Sequence, residues 1–167
     1  GGIIGGWAMT RDPFWMMSGA LAGVFATASG LDLYWPPLTF CLAVAGGAIA
    51  PIGAAWLEKT FKIDDAVGAV SVHGICGLFG VLAFGIVASG YPNGDYPDTN
   101  FMGQLIGAVA MLLLGFIPGY VVSYGLKMAG LLRIPEHVEI QGMDIIKIPA
   151  VAYPEGMHSA RGAVPAE

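Results

Sequence analysis

Four long runs of apolar residues, each followed by a short polar segment, constrain the fold of this chain more than any other feature. They cover residues 14–30, 38–57, 66–89 and 101–132. A helix needs roughly 20 residues to cross the hydrocarbon core of a bilayer, with about 17 to 25 tolerated. All four runs reach that length, the first of them marginally. We therefore predict an all-α fold, a polytopic membrane helix bundle.

The composition supports a membrane protein and excludes several functional classes. The chain is 56% hydrophobic and 11% charged, with a mean hydropathy of +0.70, whereas soluble domains are about a quarter charged. A net charge of -5 and a pI of about 5.0 leave no basic patch for nucleic acid. Cys41 and Cys76 both lie in apolar runs and have no disulfide or metal-ligand spacing. We expect no cofactor, no metal site and no enzymatic activity.

The distribution of charge predicts how the chain is oriented in the membrane. Short loops that carry lysine or arginine tend to stay in the cytoplasm. Basic residues lie before the first run, between the second and third, and at the end of the fourth, at Arg11, Lys59, Lys62, Lys127 and Arg133. The alternate loops, 31–37 and 91–100, carry aspartate but no basic residue. We predict a transmembrane region at residues 1–133, and a cytoplasmic C-terminal tail at residues 134–167.

Glycines recur at the spacing that favours close helix packing. Pairs four residues apart occur at Gly19 and Gly23, and at Gly103 and Gly107. In lipid this spacing lets two backbones approach closely, because helix association there depends on packing. The third run adds Gly74, Gly77 and Gly80. We predict that these seven glycines lie at helix crossings.

One histidine, His73, lies deep within the third apolar run. An ionisable side chain inside a membrane is costly and suggests a function, although a lone buried histidine is usually structural. On an α-helix its nearest neighbours would be Ala69, Val70, Cys76 and Gly77, none of which can carry its proton. A partner for the imidazole must therefore come from another helix. His73 and Cys76 alone are too few ligands for a metal or haem.

Two carboxylates, Asp64 and Asp65, precede this run. Either is placed to accept hydrogen bonds from the free N–H groups at the start of the helix and to face the positive end of its dipole. An ion-attracting role at the cytoplasmic mouth of a pathway is the alternative. The residue pattern leaves both interpretations open.

Three segments resemble successive helices of the ammonium transporter (Amt/Rh) family in order and spacing. They read SGALAG at residues 18–23, FKIDD at 61–65 and VHGICG at 72–77. Gly142-Met143-Asp144, followed by Tyr153, is similar to the family's cytoplasmic C-terminal motif. The resemblance covers nearly the whole chain.

This resemblance implies an eleven-helix fold made of two inverted five-helix repeats and a closing helix, assembled as a homotrimer with one pore per subunit. The chain would correspond to the end of helix seven, helices eight to eleven, and the tail. His73 resembles the second of two histidines that face each other in the family's hydrophobic pore. The implied function is ammonium transport, in which ammonium loses a proton and ammonia is conducted with a linked proton.

The sequence departs from the family pattern at two places, and the one in the tail motivates an alternative function. The tail has Ile148-Pro149-Ala150 where the family has His-Gly-Glu, and the first run has Thr27-Ala28-Ser29-Gly30 where a Thr-Pro step is common. We expect a divergent prokaryotic branch in the inner membrane. A sensor of the same fold, which binds ammonium and signals through its tail to a cytoplasmic regulatory protein, is the alternative to a transporter.

Overall fold

The computed structural model describes residues 1–94 and 98–146, and every regular element within them is helical. The helices are α1 (Gly2–Thr10), α2 (Pro13–Thr27), α3 (Pro36–Phe61), α4 (Cys76–Val87), α5 (Phe101–Met128), α6 (Glu136–Gln141) and α7 (Met143–Ile146). A 3₁₀ turn at Ala28–Gly30 follows α2, and a π-helical turn at Val70–Ile75 precedes α4. The prediction of an all-helical chain is confirmed for the described residues.

Three helical segments in this part of the chain are long and apolar enough to cross a membrane. They are α3, the π-helical turn together with α4 (Val70–Val87), and α5. The first predicted span, residues 14–30, falls short, because α2 contains only 15 residues. Its last turn tightens where the Thr27 hydroxyl donates to the carbonyl oxygens of Gly23 (3.0 Å) and Val24 (3.2 Å). Such side-chain bonds compete with the helical ladder.

The chain divides into two compact units, Gly1–Gly115 and Phe116–Glu167, with the division inside α5. In the first unit, α1, α2 and α3 pack against one another, and the π-helical turn and α4 pack on α2 and α3. The core is built from small side chains: Ala22, Ala50, Val72 and Cys76, with Trp15, Phe25 and Ile49 packed around them. The Cys76 thiol donates to the carbonyl oxygen of Gly46 at 3.3 Å.

Three of the seven predicted packing glycines lie where two backbones nearly touch. A Cβ atom added at Gly19 would lie 2.5 Å from the carbonyl oxygen of Gly2, and one at Gly23 would lie 3.0 Å from the Cα of Gly2. At Gly80 the added atom would lie 2.7 Å from the carbonyl oxygens of Phe25 and Ala26. Backbone atoms cannot move aside as a side chain can. A larger residue at these positions would therefore separate the helices.

The other four predicted packing glycines have open space around them in the described part of the chain. An added Cβ atom would meet only Val70 Cγ1 (3.8 Å) at Gly74 and only Asn100 Oδ1 (3.6 Å) at Gly103. It would meet nothing within 4 Å at Gly77 or Gly107. Contacts for these four glycines would have to come from outside the described residues.

Sequence reasoning missed a set of glycines that are equally crowded. The closest approaches of α1 to α2 and α3 are made at Gly2, Gly5, Gly6 and Gly47, and Gly46 brings α3 close to Ala22 and Ala26 of α2. The four-residue spacing of Gly2 and Gly6 matches the pattern that singled out Gly19 and Gly23. Applied to the start of the chain, the same spacing rule would have found α1 as a packed helix.

The second unit contains the C-terminal part of α5 and the two short helices. None of the residues of α5, all of which are described, is buried by the described chain. Phe116, Tyr120 and Tyr124 stack along one side of α5 with ring centroids 5.8 Å and 6.2 Å apart. In α6, Val138 is buried. Residues 147–167 of the predicted tail, including Tyr153, lie outside the described residues.

Replacing Gly80 with alanine is expected to destabilise the protein by about 1 to 3 kcal/mol, because the new methyl group would overpack against the backbone of α2. The matched control is Gly115→Ala, since an added Cβ atom at Gly115 meets nothing within 4 Å. Thermal unfolding in detergent should show a lower Tm for Gly80→Ala alone. Equal Tm values for the two variants would contradict the packing role of Gly80.

Candidate functional site

His73 lies in the π-helical turn Val70–Ile75 and not in a regular α-helix. The backbone N–H of Cys76 lies within hydrogen-bonding reach of the carbonyl oxygens of His73 and Ser71. A π-helical turn contains more residues per turn than an α-helix. The α-helical spacing assumed from the sequence therefore does not describe this turn. Short π-helical turns within helices are frequent at functional sites.

Asp65 binds the start of this turn with both carboxylate oxygens. Oδ1 accepts a hydrogen bond from the N–H of Val70 (3.0 Å), and Oδ2 accepts one from the N–H of Ser71 (2.9 Å). The intervening chain bends through Gly68, whose φ of +71° is in the left-handed region that glycine favours. The Gly68 N–H donates to the Asp65 carbonyl oxygen at 2.8 Å. The Ser71 hydroxyl donates to the Gly68 carbonyl oxygen at 3.1 Å.

These contacts also determine the charge of Asp65. Partial burial raises the pKa of the carboxyl group, but hydrogen bonds from Ser71, Val70 and Ala69 lower it by more. The net result is a pKa below the usual value for aspartate. Asp65 is therefore ionised at neutral pH and accepts these bonds as a carboxylate, which makes each of them stronger than a bond between neutral groups.

Asp64 has a different environment although it is the adjacent residue. Its side chain is exposed, and it lines an open depression together with Glu58, Lys59 and Lys62. The structure records no hydrogen bond to its carboxylate from any residue in 1–94 or 98–146. The two neighbouring aspartates are therefore not equivalent.

The imidazole of His73 packs against Phe25 of α2. The two ring centroids are 4.1 Å apart, and the ring planes meet at 60°. Phe25 is half-buried at the edge of the core, whereas His73 is exposed. Sequence reasoning did not identify Phe25, because no local spacing relates a residue of α2 to one near α4.

We call His73, Gly74 and Gly77 the histidine face. His73 and Gly74 are exposed, and the space beside Gly77 is open. Among the described residues, neither imidazole nitrogen has a recorded hydrogen bond. Cys76, in contrast, is fully buried, and its thiol is bound to Gly46. The histidine face is thus apolar apart from one imidazole, and Phe25 is the aromatic residue packed against it.

The described residues hold no group of three or more histidine, cysteine, aspartate or glutamate side chains that could bind a metal ion. The pairing of His73 with Cys76 also fails on geometry, since one side chain is exposed and the other is fully buried. The imidazole of His73 is a group that can both accept and donate a proton.

Comparison with known proteins identifies the family. The model of the Ammonium Transporter Family matches residues 7–153. This chain belongs to that family. Because the family is one of transporters and three described helices are long and apolar enough to span a membrane, the chain is a multi-pass membrane protein. The prediction of a membrane protein and the resemblance to this family are both confirmed.

The relatives are all longer than this chain. Ammonium transporter Amt1 of Methanocaldococcus jannaschii is 33% identical over 156 residues, which cover 93% of this chain and 40% of the relative. Ammonium transporter Amt2 of Archaeoglobus fulgidus is 33% identical, covering 82% of this chain and 32% of the relative. The ammonium transporter of Bacillus subtilis is 29% identical, covering 94% and 41%. The chain spans about two fifths or less of the length of these relatives.

Replacing Phe25 with alanine is expected to leave His73 more accessible, because Phe25 covers one side of the imidazole. Modification of His73 by diethyl pyrocarbonate, followed by mass spectrometry, should be faster in Phe25→Ala and intermediate in Phe25→Leu. Loss of the aromatic contact should also lower the free energy of unfolding by about 0.5 to 1.5 kcal/mol beyond the effect of the lost apolar burial.

The control for this experiment is Phe40→Ala, since Phe40 is exposed on α3 and is not part of the contact with His73. An equal modification rate at His73 in Phe25→Ala and Phe40→Ala would contradict the proposed shielding.

Proposed function

We propose that the complete protein carrying this chain transports ammonium across the cell membrane, and that His73 lies on the conduction path. Ammonium would lose a proton at the entrance, and ammonia with a linked proton would cross a hydrophobic pore. One observation carries the proposal: in a member of the ammonium transporter family, a membrane-spanning segment presents a single exposed imidazole on an otherwise apolar face.

The chemistry of the histidine face suits this task. Moving a bare cation into an apolar site has a large desolvation free energy, whereas the desolvation free energy of neutral ammonia is much smaller. An imidazole can both accept and donate a proton. Potassium has a size similar to that of ammonium but no proton to release. The same pore should therefore exclude potassium.

The open space beside Gly74 and Gly77 supports a second element of the proposal. An imidazole facing lipid would be costly, so such residues face the interior of a bundle or a water-filled cavity. We infer that the rest of the complete protein covers the histidine face and supplies a second pore histidine. The relatives contain enough additional length for this covering half, since the chain spans only 32% to 41% of them.

In this proposal the chain is the C-terminal part of an eleven-helix, inverted-repeat fold. Helix α1 would be the end of helix seven, and α2, α3, the π-helical turn with α4, and α5 would be helices eight to eleven. The protein would form a homotrimer in the bilayer of a prokaryotic inner membrane. Residues 1–133 would lie in the membrane region, and residues 134–167 would form a cytoplasmic tail able to contact a regulatory protein.

The two aspartates would have separate roles. Asp65, bound to the N–H groups of Val70 and Ser71, would be the cap of the helix that carries His73. Asp64, exposed beside Glu58, Lys59 and Lys62, would lie at the cytoplasmic mouth.

The sensor alternative depended on the departures in the C-terminal tail. The departed motif, Ile148-Pro149-Ala150, lies outside the described residues. Transport is the function that the described geometry supports best.

Replacing His73 with alanine in the complete protein is expected to abolish ammonium-dependent current or to remove the discrimination against potassium. The physical reason is that the proton released by ammonium would have lost its acceptor in the apolar pore. The measurement is current or flux in proteoliposomes with ammonium and with potassium.

The matched control is His137→Ala, since His137 is an exposed histidine in α6. This control should retain the flux and selectivity of the unmodified protein. Unchanged flux and selectivity in His73→Ala would make His73 a packing residue and would remove the proposed mechanism.

A further inference from the structure

We propose that Asp65 is a positioning residue for His73: its carboxylate holds the π-helical turn Val70–Ile75, and this turn sets the direction in which the imidazole leaves the helix. The effect on transport rests on the proposed function, whereas the effect on the orientation of His73 does not.

The Asp65 carboxylate has an unusual reach. A capping side chain ordinarily bonds an N–H two or three residues further along the chain. Asp65 instead binds the N–H groups of Val70 and Ser71, five and six residues further along. The bend at Gly68 makes this reach possible, with the Gly68 N–H bound to the carbonyl oxygen of Asp65. The carboxylate is thus attached to the first two residues of the π-helical turn.

The core holds the turn independently of Asp65. Val72 and Cys76 are buried in the core, with exposed fractions of 2% and 0%. The Cys76 thiol is bound to Gly46 of α3. His73 therefore lies between the start of the turn, which Asp65 binds, and Cys76, which is buried in the core.

The rotation of His73 relative to Cys76 depends on the type of helix between them. Successive residues of an α-helix are related by about 100°, and a π-helical turn uses a smaller rotation per residue. If residues 70–75 relaxed to an α-helix, His73 would turn relative to Cys76 by an angle on the order of tens of degrees. Its ring would then leave the position it holds against Phe25, at 4.1 Å between centroids.

The test compares Asp65→Asn with Asp64→Asn in the complete protein, reconstituted in lipid. Both variants remove one negative charge from adjacent positions, but only Asp65 binds the turn. The probe is the ring and backbone ¹⁵N signals of His73 in histidine-labelled protein, assigned by solid-state NMR with His73→Ala. Ammonium flux and thermal unfolding are measured on the same samples.

We expect Asp65→Asn to shift both sets of His73 signals and to reduce ammonium flux by about tenfold to a hundredfold, the scale of an ångström-sized misplacement. Asp64→Asn should leave the His73 signals unchanged. Signals of His73 that stay the same in Asp65→Asn would overturn the inference, even if that variant unfolds at a lower temperature.

A second variant tests the inference if the Asp65→Asn protein cannot be produced in folded form. Gly68→Ala keeps both aspartates but places a side chain at a φ of +71°, which strains the bend that brings the carboxylate to the turn. It should shift the His73 signals in the same way. Unshifted signals in a folded Gly68→Ala variant would overturn the inference.

The two proposals fail in different ways. If His73→Ala leaves flux and selectivity unchanged, the proposed function fails, while shifted His73 signals in Asp65→Asn still support the positioning role. If His73→Ala abolishes transport but Asp65→Asn leaves both the signals and the flux unchanged, the positioning role fails and the proposed function stands.

Discussion

Close contact between the backbones of α1, α2 and α3 is the interaction on which the rest of the first unit depends. In a bilayer, apolar burial gives helices little reason to associate, so packing at short distance must supply the attraction. The glycines of these three helices allow it, since even a methyl group at Gly19 would lie 2.5 Å from a carbonyl oxygen of α1. This three-helix contact forms the surface that receives Val72, Cys76 and Gly80.

The position of His73 follows from that surface and from one charged group outside the apolar span. The core fixes Cys76, α2 presents Phe25 to the imidazole, and Asp65 holds the opposite end of the turn. The histidine is therefore oriented by contacts from three separate parts of the chain. Its exposed side, beside Gly74 and Gly77, has open space among the described residues.

The sequence predicted the features that depend on local pattern. Apolar run length identified three spans. The family resemblance and the position of His73 within an apolar run singled out this residue. The bonds of Asp65 to the N–H groups of Val70 and Ser71 at the start of the π-helical turn were not predictable, because the carboxylate reaches them only past the bend at Gly68. The contact of Phe25 with His73 depends on tertiary packing. Helix α2 ends at Thr27 and a 3₁₀ turn follows it, a change of helix type that a count of apolar residues does not register.

The location of the core along the chain has a consequence for biosynthesis. Among the described residues of the first unit, every buried hydrophobic side chain precedes α5, the last of them being Phe84. A ribosome therefore delivers the complete set of core residues before it begins the 28-residue helix that follows. Chains generally fold from the N-terminal side as they are made. The bundle of α1 to α4 can consequently reach its final packing in the membrane while α5 is still being synthesised.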